Sequence, residues 1–219
     1  MFFKIYIFLR RLFLGKGVRP GLSEGYLPDR IRESALEVLL GADGKLLEVG
    51  CGEGRFLTEL LKRNGKIFAA GVDMSPEMLG LCRDNARSSG VDKRLVLHHS
   101  RGEELPFLEG EFDYAVAVNT LYNLSRDSAK KVIGEMARVL GHKGRLVFDF
   151  KNALNPVMRL KYFFAPFYDP VFGSGEKRLI AYRKKEIETV LSGYGLKIID
   201  LKRKGFLIPF FYLVVAEKE

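Results

Sequence analysis

The chain has 219 residues, 47% hydrophobic and 29% charged, with a formal net charge of +9. That length favours one domain with small appendages, and the composition excludes wholesale disorder. Two cysteines, Cys51 and Cys82, exclude a disulfide framework and point to a reducing, cytoplasmic compartment. Together with three histidines they are too few and too scattered for a zinc ribbon or finger, so no metal is expected.

From about Asp29 to Leu40, the apolar residues Ile31, Ala35, Val38 and Leu39 recur at helical spacing, and Gly41 and Gly44 end the helix. Lys45–Val49 reads as a short buried strand, followed by glycines and a helix from about Arg55 to Arg63. Ile67–Val72 is a second strand. Ser75-Pro76-Glu77 opens another helix, with Ser75 as N-cap and proline in the first turn. Leu95–Leu97 and Phe112–Val118 are predicted strands, 125–140 a helix capped by Ser125, and Gly144–Phe148 a fifth strand. This alternation implies an α/β fold with a parallel sheet. It breaks after Phe150, where 152–175 is rich in aromatics and proline. A helix at 184–193 and strands at 197–201 and 211–216 close the chain.

Charge is concentrated at the two ends. Residues 1–20 carry five basic and no acidic side chains, 21–150 carry 18 and 20, and 151–219 carry 13 and 7. Such ends suit an anionic partner and serve solubility equally. The stretch Met1–Leu14 is apolar, but Lys4, Arg10 and Arg11 interrupt it. A spanning helix needs about 20 apolar residues, and no signal-peptide cleavage site is visible. A basic amphipathic helix lying in a membrane interface, or packing on the domain, fits the pattern.

The informative segment is Leu46-Leu-Glu-Val-Gly-Cys-Gly-Glu-Gly-Arg55, between the first strand and a helix. Glycines there let a ligand approach the backbone. A dinucleotide fingerprint needs Gly-x-Gly-x-x-Gly to seat a pyrophosphate on the helix N-terminus. Here the glycines are 50, 52 and 54, and Arg55 stands where the last would be. Glu48 beside the turn repels phosphate and suits an ammonium or sulfonium group.

These residues resemble the first motif of the class I S-adenosylmethionine-dependent methyltransferases, chiefly the small-molecule and quinone-biosynthesis members. Asp73, at the end of the second strand, resembles their ribose-binding acid. Glu103–Phe107 with Glu111–Tyr114, and Arg138–Leu146, resemble two further motifs in order and spacing over about 29–150. The resemblance implies a doubly wound, Rossmann-like sheet of seven strands, mostly parallel with an antiparallel last strand. It implies S-adenosylmethionine as cofactor, held by Glu48, Gly50, Cys51, Gly52, Gly54, Asp73, Met74, Gly102, Glu103 and Asn119. Arg101 departs from the family, which places an aspartate there to accept from the adenine amine. Arginine has no acceptor, so that contact passes to the Gly102 backbone or Glu103.

Methyl transfer from a sulfonium is an in-line displacement in which the protein mainly aligns the partners. The zone after the fourth and fifth strands nominates Asn119, Tyr122 and Asp149 as catalytic, Asp149 as base or orienter. Residues 1–28 read as an apolar, basic N-terminal helix and lid, 29–219 as the methyltransferase domain, and 151–183 as a substrate-lid insertion. A small-molecule or lipid-like acceptor is the expected partner, with peripheral membrane contact through 1–20 and no nucleic acid. Methylation of RNA or protein, and a non-catalytic membrane-associated protein keeping the fold, are the alternatives.

Overall fold

The computed structural model describes residues 26–157, 159–160, 181–204 and 208–219, for 26–28 and 204 the backbone alone. Helix α1 (Tyr26–Leu39) leads into β1 (Gly44–Val49), α2 (Arg55–Arg63), β2 (Ile67–Asp73), α3 (Pro76–Ser88), β3 (Leu95–His99) and β4 (Phe112–Ala117). Then come α4 (Arg126–Val139), β5 (Leu140–Asn152), β6 (Ala181–Tyr182), α5 (Lys184–Ser192), β7 (Leu196–Lys204) and β8 (Phe211–Lys218). Residues 1–25 of the expected N-terminal helix and lid, and 158 and 161–180 of the expected 151–183 insertion, lie outside the described residues.

The sheet order is β3-β2-β1-β4-β5-β8-β7, with β6 paired to β5. β8 runs antiparallel to both neighbours, and the other pairings are parallel. This is the doubly wound, Rossmann-like arrangement that the motifs imply. The central strands are mostly apolar because both faces are covered. On one face Ile31, Ala35, Leu36 and Leu39 of α1, Leu57, Leu60 and Leu61 of α2, and Leu79 of α3 pack against Leu46, Val116, Val147 and Val215. On the other, Val132, Ile133 and Met136 of α4 and Ile187 and Leu191 of α5 pack against Leu47, Ala115, Leu146, Phe148 and Phe150. Both expected caps form: Ser75 accepts from Met78 N at 3.2 Å and Ser125 from Ser128 N at 3.1 Å.

The structure lengthens β3, β5, β7 and β8 by two residues or more. β5 begins at Leu140 and ends at Asn152, beyond the predicted Gly144–Phe148. A shift between Phe112 and Tyr114 lets Leu140 pair with Phe112, and β8 and β6 draw out the far end. Asp149 therefore lies within this strand and not after it. β7 and β8 lengthen because they pair with each other from Leu196↔Lys218 to Lys204↔Phe211. The bulge at Ile198/Asp200 explains the weak alternation in that segment. β6, two residues long, carries no sequence signal.

At the pole opposite the strand carboxyl ends, one side chain ties three elements together. Asn64, 5% exposed, donates from Nδ2 to the carbonyls of Leu39 (3.2 Å), Leu40 (3.1 Å) and Ala42 (2.8 Å), and its Oδ1 accepts from Lys66 N at 2.9 Å. The Arg94 guanidinium adds bonds to the carbonyls of Leu61, Asn64 and Ile67. Buried carbonyls left without a donor cost about 1–3 kcal/mol. Asn64→Ala is expected to lower unfolding free energy by about 2–3 kcal/mol in urea titration, and a loss under about 0.5 kcal/mol would show that water replaces the amide.

Candidate active site

The β1 carboxyl end turns over three glycines in the left-handed region: Gly50 (φ 76°), Gly52 (φ 52°) and Gly54 (φ 79°). The turn is pinned from two sides. Gly50 N and Cys51 N donate to Val72 O on β2, at 2.7 and 3.1 Å. Thr120, from the loop after β4, packs so closely on Gly50 that a Cβ there would lie 2.4 Å from its Cγ2. At Gly54 a Cβ would lie 2.4 Å from Cys82 Sγ, so α3 also rests against the turn.

Asp73 closes the arrangement. Its Oδ2 accepts from Gly52 N at 2.8 Å and its Oδ1 from Ser75 N at 2.9 Å. The carboxylate thus links the glycine turn to the start of α3, and each oxygen keeps a second acceptor site for a ligand hydroxyl. Met74, beside it, is exposed, and its carbonyl faces His99 Nε2 at 3.1 Å.

Glu48 lies beneath the turn, 3% exposed, and among the described residues its Oε2 has no hydrogen-bond partner. Burial holds its carboxyl well above the ordinary range; Cys82 and Asp73 push the same way, and Arg32 opposes them. A carboxyl in this state is short of a cation. The Cys51 thiol bonds to Cys82 and is buried, and both effects push it far above the thiol range, so it stays protonated and packs.

Gly102 and Glu103, in the loop after β3, have internal duties. A Cβ on Gly102 would lie 2.8 Å from Val49 Cγ1. Burial raises the Glu103 carboxyl, but a backbone N–H, the Ser128 hydroxyl and Arg101 outweigh it and hold it below the usual range. Arg101 is itself exposed, 3.5 Å from Glu103. The Arg138 motif residue fixes this loop: it bonds Glu135, Phe107 O (2.9 Å) and Leu105 O (3.1 Å), while Glu135 accepts from Leu105 N.

Beyond β4, Asn119 is left-handed (φ 58°) and 5% exposed. Its N–H donates to Asp149 Oδ1 at 2.6 Å, and its Oδ1 accepts from the Tyr122 hydroxyl at 3.0 Å. The structure therefore brings Asn119, Tyr122 and Asp149 together. Asp149 is fully buried, and among the described residues its Oδ2 has no partner. Burial pushes its pKa up to about 7, against the pull of Asn119 N–H and Lys151. Lys151, 6% exposed, sets its Nζ 3.7 Å from the Tyr122 ring centre. Sequence reasoning missed it: with the strand ended at Phe148, the two-residue spacing from Asp149 carried no meaning.

Among the described residues, no group of three or more His, Cys, Asp and Glu is placed to hold a metal ion. No described helix is long and apolar enough to cross a membrane.

A family model described as a methyltransferase domain matches residues 46–144. The matched segment, somewhat under half of the chain, is similar to methyltransferase domains. The chain is 29% identical over 155 residues to a ubiquinone/menaquinone biosynthesis C-methyltransferase of Citrifermentans bemidjiense, covering 69% of this chain and 65% of that one. It spans 42% of two further relatives. Among solved structures, a methyltransferase from Methanosarcina mazei matches with TM-score 0.69 at 22% identity over 84% of this chain and 96% of that one. Magnesium protoporphyrin IX methyltransferase of Synechocystis matches with TM-score 0.72 at 16% identity over 99% and 95%. At such identities the likeness is one of fold. The match begins on β1 and ends in the first part of β5, so the matched segment includes Glu48, the glycine turn, Asp73 and Asn119 and stops short of Asp149 and Lys151.

The sign of the Glu48 effect is definite. A carboxyl raised in the folded state binds its proton more tightly there than in the unfolded chain, so stability falls as pH rises above the unfolded value, about 4.3. Glu48→Gln removes this loss. The variant is expected to melt above the wild type at about pH 8, with the gap closing towards about pH 4. A gap independent of pH would contradict the assignment.

Proposed function

We propose that this protein transfers a methyl group from S-adenosylmethionine to a small-molecule acceptor. The observation that carries the reading is the unpartnered Glu48 Oε2 under the glycine turn, which an ammonium would satisfy. The site fits the cofactor at three places. The free acceptor capacity of Asp73 suits ribose hydroxyls. The open backbone of Gly50–Gly54 suits a small amino-acid moiety. Gly102 and Glu103 stand on the adenine side. When bound, the cofactor supplies an activated methyl on a sulfonium. The chain's share is then alignment and proton handling, which fall to Asn119, Tyr122 and Asp149.

The acceptor is proposed to be apolar or lipid-like. Leu154, Val157 and Ile208 are exposed at the carboxyl end of β5, where Asn152 and Asn155 bond the carbonyls of Pro209 and Ile208. Single exposed leucines mean little, but this set shares one rim with the catalytic pole. A relative named for ubiquinone and menaquinone biosynthesis accords with such an acceptor. The five basic residues of 1–20 favour peripheral contact with an anionic membrane, at about 1 kcal/mol for each basic group near the surface.

Calorimetry with S-adenosylmethionine tests the reading. Wild type is expected to bind at micromolar concentration. Asp73→Asn replaces one carboxylate oxygen with a donor that faces a backbone N–H, and is expected to weaken binding at least about tenfold. Absence of binding by the wild type would favour a non-catalytic protein that kept the fold.

A further inference from the structure

Two buried asparagines build the rim beyond β5. Asn152 and Asn155 are each 2% exposed. Asn152 donates from Nδ2 to Pro209 O at 2.8 Å and from its backbone N–H to Phe210 O at 2.9 Å, while its Oδ1 accepts from Leu154 N at 3.0 Å. Asn155 donates from Nδ2 to Ile208 O at 2.8 Å, and its Oδ1 accepts from Val157 N at 3.0 Å. Asn155 thereby caps a short helical turn with Pro156 in its first position, and Arg159 N closes that turn on Asn155 O at 2.9 Å. The segment after β5 and the approach to β8 are thus stitched into one surface. That surface holds Leu154, Val157, Leu160 and Ile208 in solvent, at 56, 41, 59 and 46% exposure. Buried amides beneath four outward aliphatic side chains reverse the usual order of a folded edge, and such a set calls for an apolar phase to cover it.

The charge of the same surface has one sign. Residues 152–160 and 201–216 carry Arg159, Lys202, Arg203 and Lys204 and no acidic side chain. Arg159 and Arg203 are exposed, and Arg203 stands opposite Tyr212 near the end of the β7–β8 pairing, where the chain leads to Ile208. The opposite pole is mixed: Lys66 faces Asp43, and Lys143 and Arg145 face Glu217. Aliphatic side chains flanked by cations, without acids, fit the boundary between anionic headgroups and acyl chains. Nucleic acid would use the cations but not the aliphatic groups, since it is held by phosphate contacts and by stacking on aromatic rings.

We propose that this rim docks on an anionic lipid bilayer, setting the carboxyl ends of the strands against the membrane so that an apolar acceptor enters from the lipid phase. The inference deepens the proposed function and rests on that reading for its acceptor. It differs from contact through 1–20, which tethers the chain without fixing which pole faces the lipid. Here the attachment continues directly from β5, the strand that bears Asp149.

The test is sedimentation of the full-length protein with vesicles of phosphatidylcholine alone or with about 30% phosphatidylserine. Wild type is expected to bind the anionic vesicles at least about tenfold more tightly than the neutral ones, with the preference shrinking at high salt. The pair Leu154→Gln with Leu160→Gln, and separately Arg159→Gln with Arg203→Gln, should each weaken that binding at least about tenfold. Calorimetric binding of S-adenosylhomocysteine and the melting temperature are recorded on the same samples, and should stay as in wild type. Should the leucine pair fail to fold, Ile208→Gln takes its place. If wild type shows no preference for anionic vesicles, or if both pairs bind as wild type does, the proposal is overturned while the methyltransferase reading stands. If the arginine pair weakens binding to vesicles and to polyuridylate RNA alike while the leucine pair weakens neither, the surface serves nucleic acid and the proposal falls. Wild type that binds vesicles as expected but no S-adenosylhomocysteine keeps the docking surface and removes the methyltransferase reading.

Discussion

The Asp73 carboxylate is the constraint on which the cofactor pole depends. It accepts the Gly52 N–H on one oxygen and the Ser75 N–H on the other. Those two donors belong to the glycine turn after β1 and to the start of α3, so one side chain sets the position of both walls of the crevice. The turn can take that position because three glycines adopt left-handed backbone and because nothing larger than glycine fits against Thr120 and Cys82. A residue expected to meet a ribose thus has a structural duty in this chain. Truncating it would loosen the turn, which is why a conservative variant is more informative.

The two ends of the sheet are treated differently. At the pole around Asn64 and Arg94, the buried carbonyls named above are each bonded by the chain itself. At the carboxyl ends of the strands, two buried carboxyls, Glu48 and Asp149, each leave an oxygen without a partner among the described residues. Burial raises both above the ordinary carboxylate range. Such groups detract from folding stability at neutral pH. Their concentration at the pole where ligands bind in open α/β sheets is what a site kept ready for cationic and acidic ligands requires.

Much of the fold was legible because its signals are local. Strand and helix alternation, the Ser75 and Ser125 caps and the spacing of Gly50, Gly52 and Gly54 are all read within a few residues. The glycine turn and its neighbours were legible for the same reason: Glu48 and the glycines are contiguous, and Asp73 ends the next strand. What escaped depends on contacts distant in sequence. Asn64 is one polar residue after a helix until α1 and β2 surround it. β6 exists because β5 has a free edge beyond the end of β4. Lys151 acquires meaning only when β5 runs past Asp149 and Tyr122 folds over it. The implied roles of Gly102 and Glu103 meet a different fact, since both are engaged with Val49 and Ser128.

The most direct test of the cofactor cradle is proton exchange on binding. A cation placed beside Glu48 favours its ionised form, so S-adenosylmethionine binding should expel the proton that burial retains. Calorimetry in two buffers of different ionisation enthalpy reads that proton. The expected result is release of up to one proton per site in the wild type and none from Glu48→Gln, with affinity that rises with pH. Binding heat that is the same in both buffers, or equal proton release in the variant, would contradict the account.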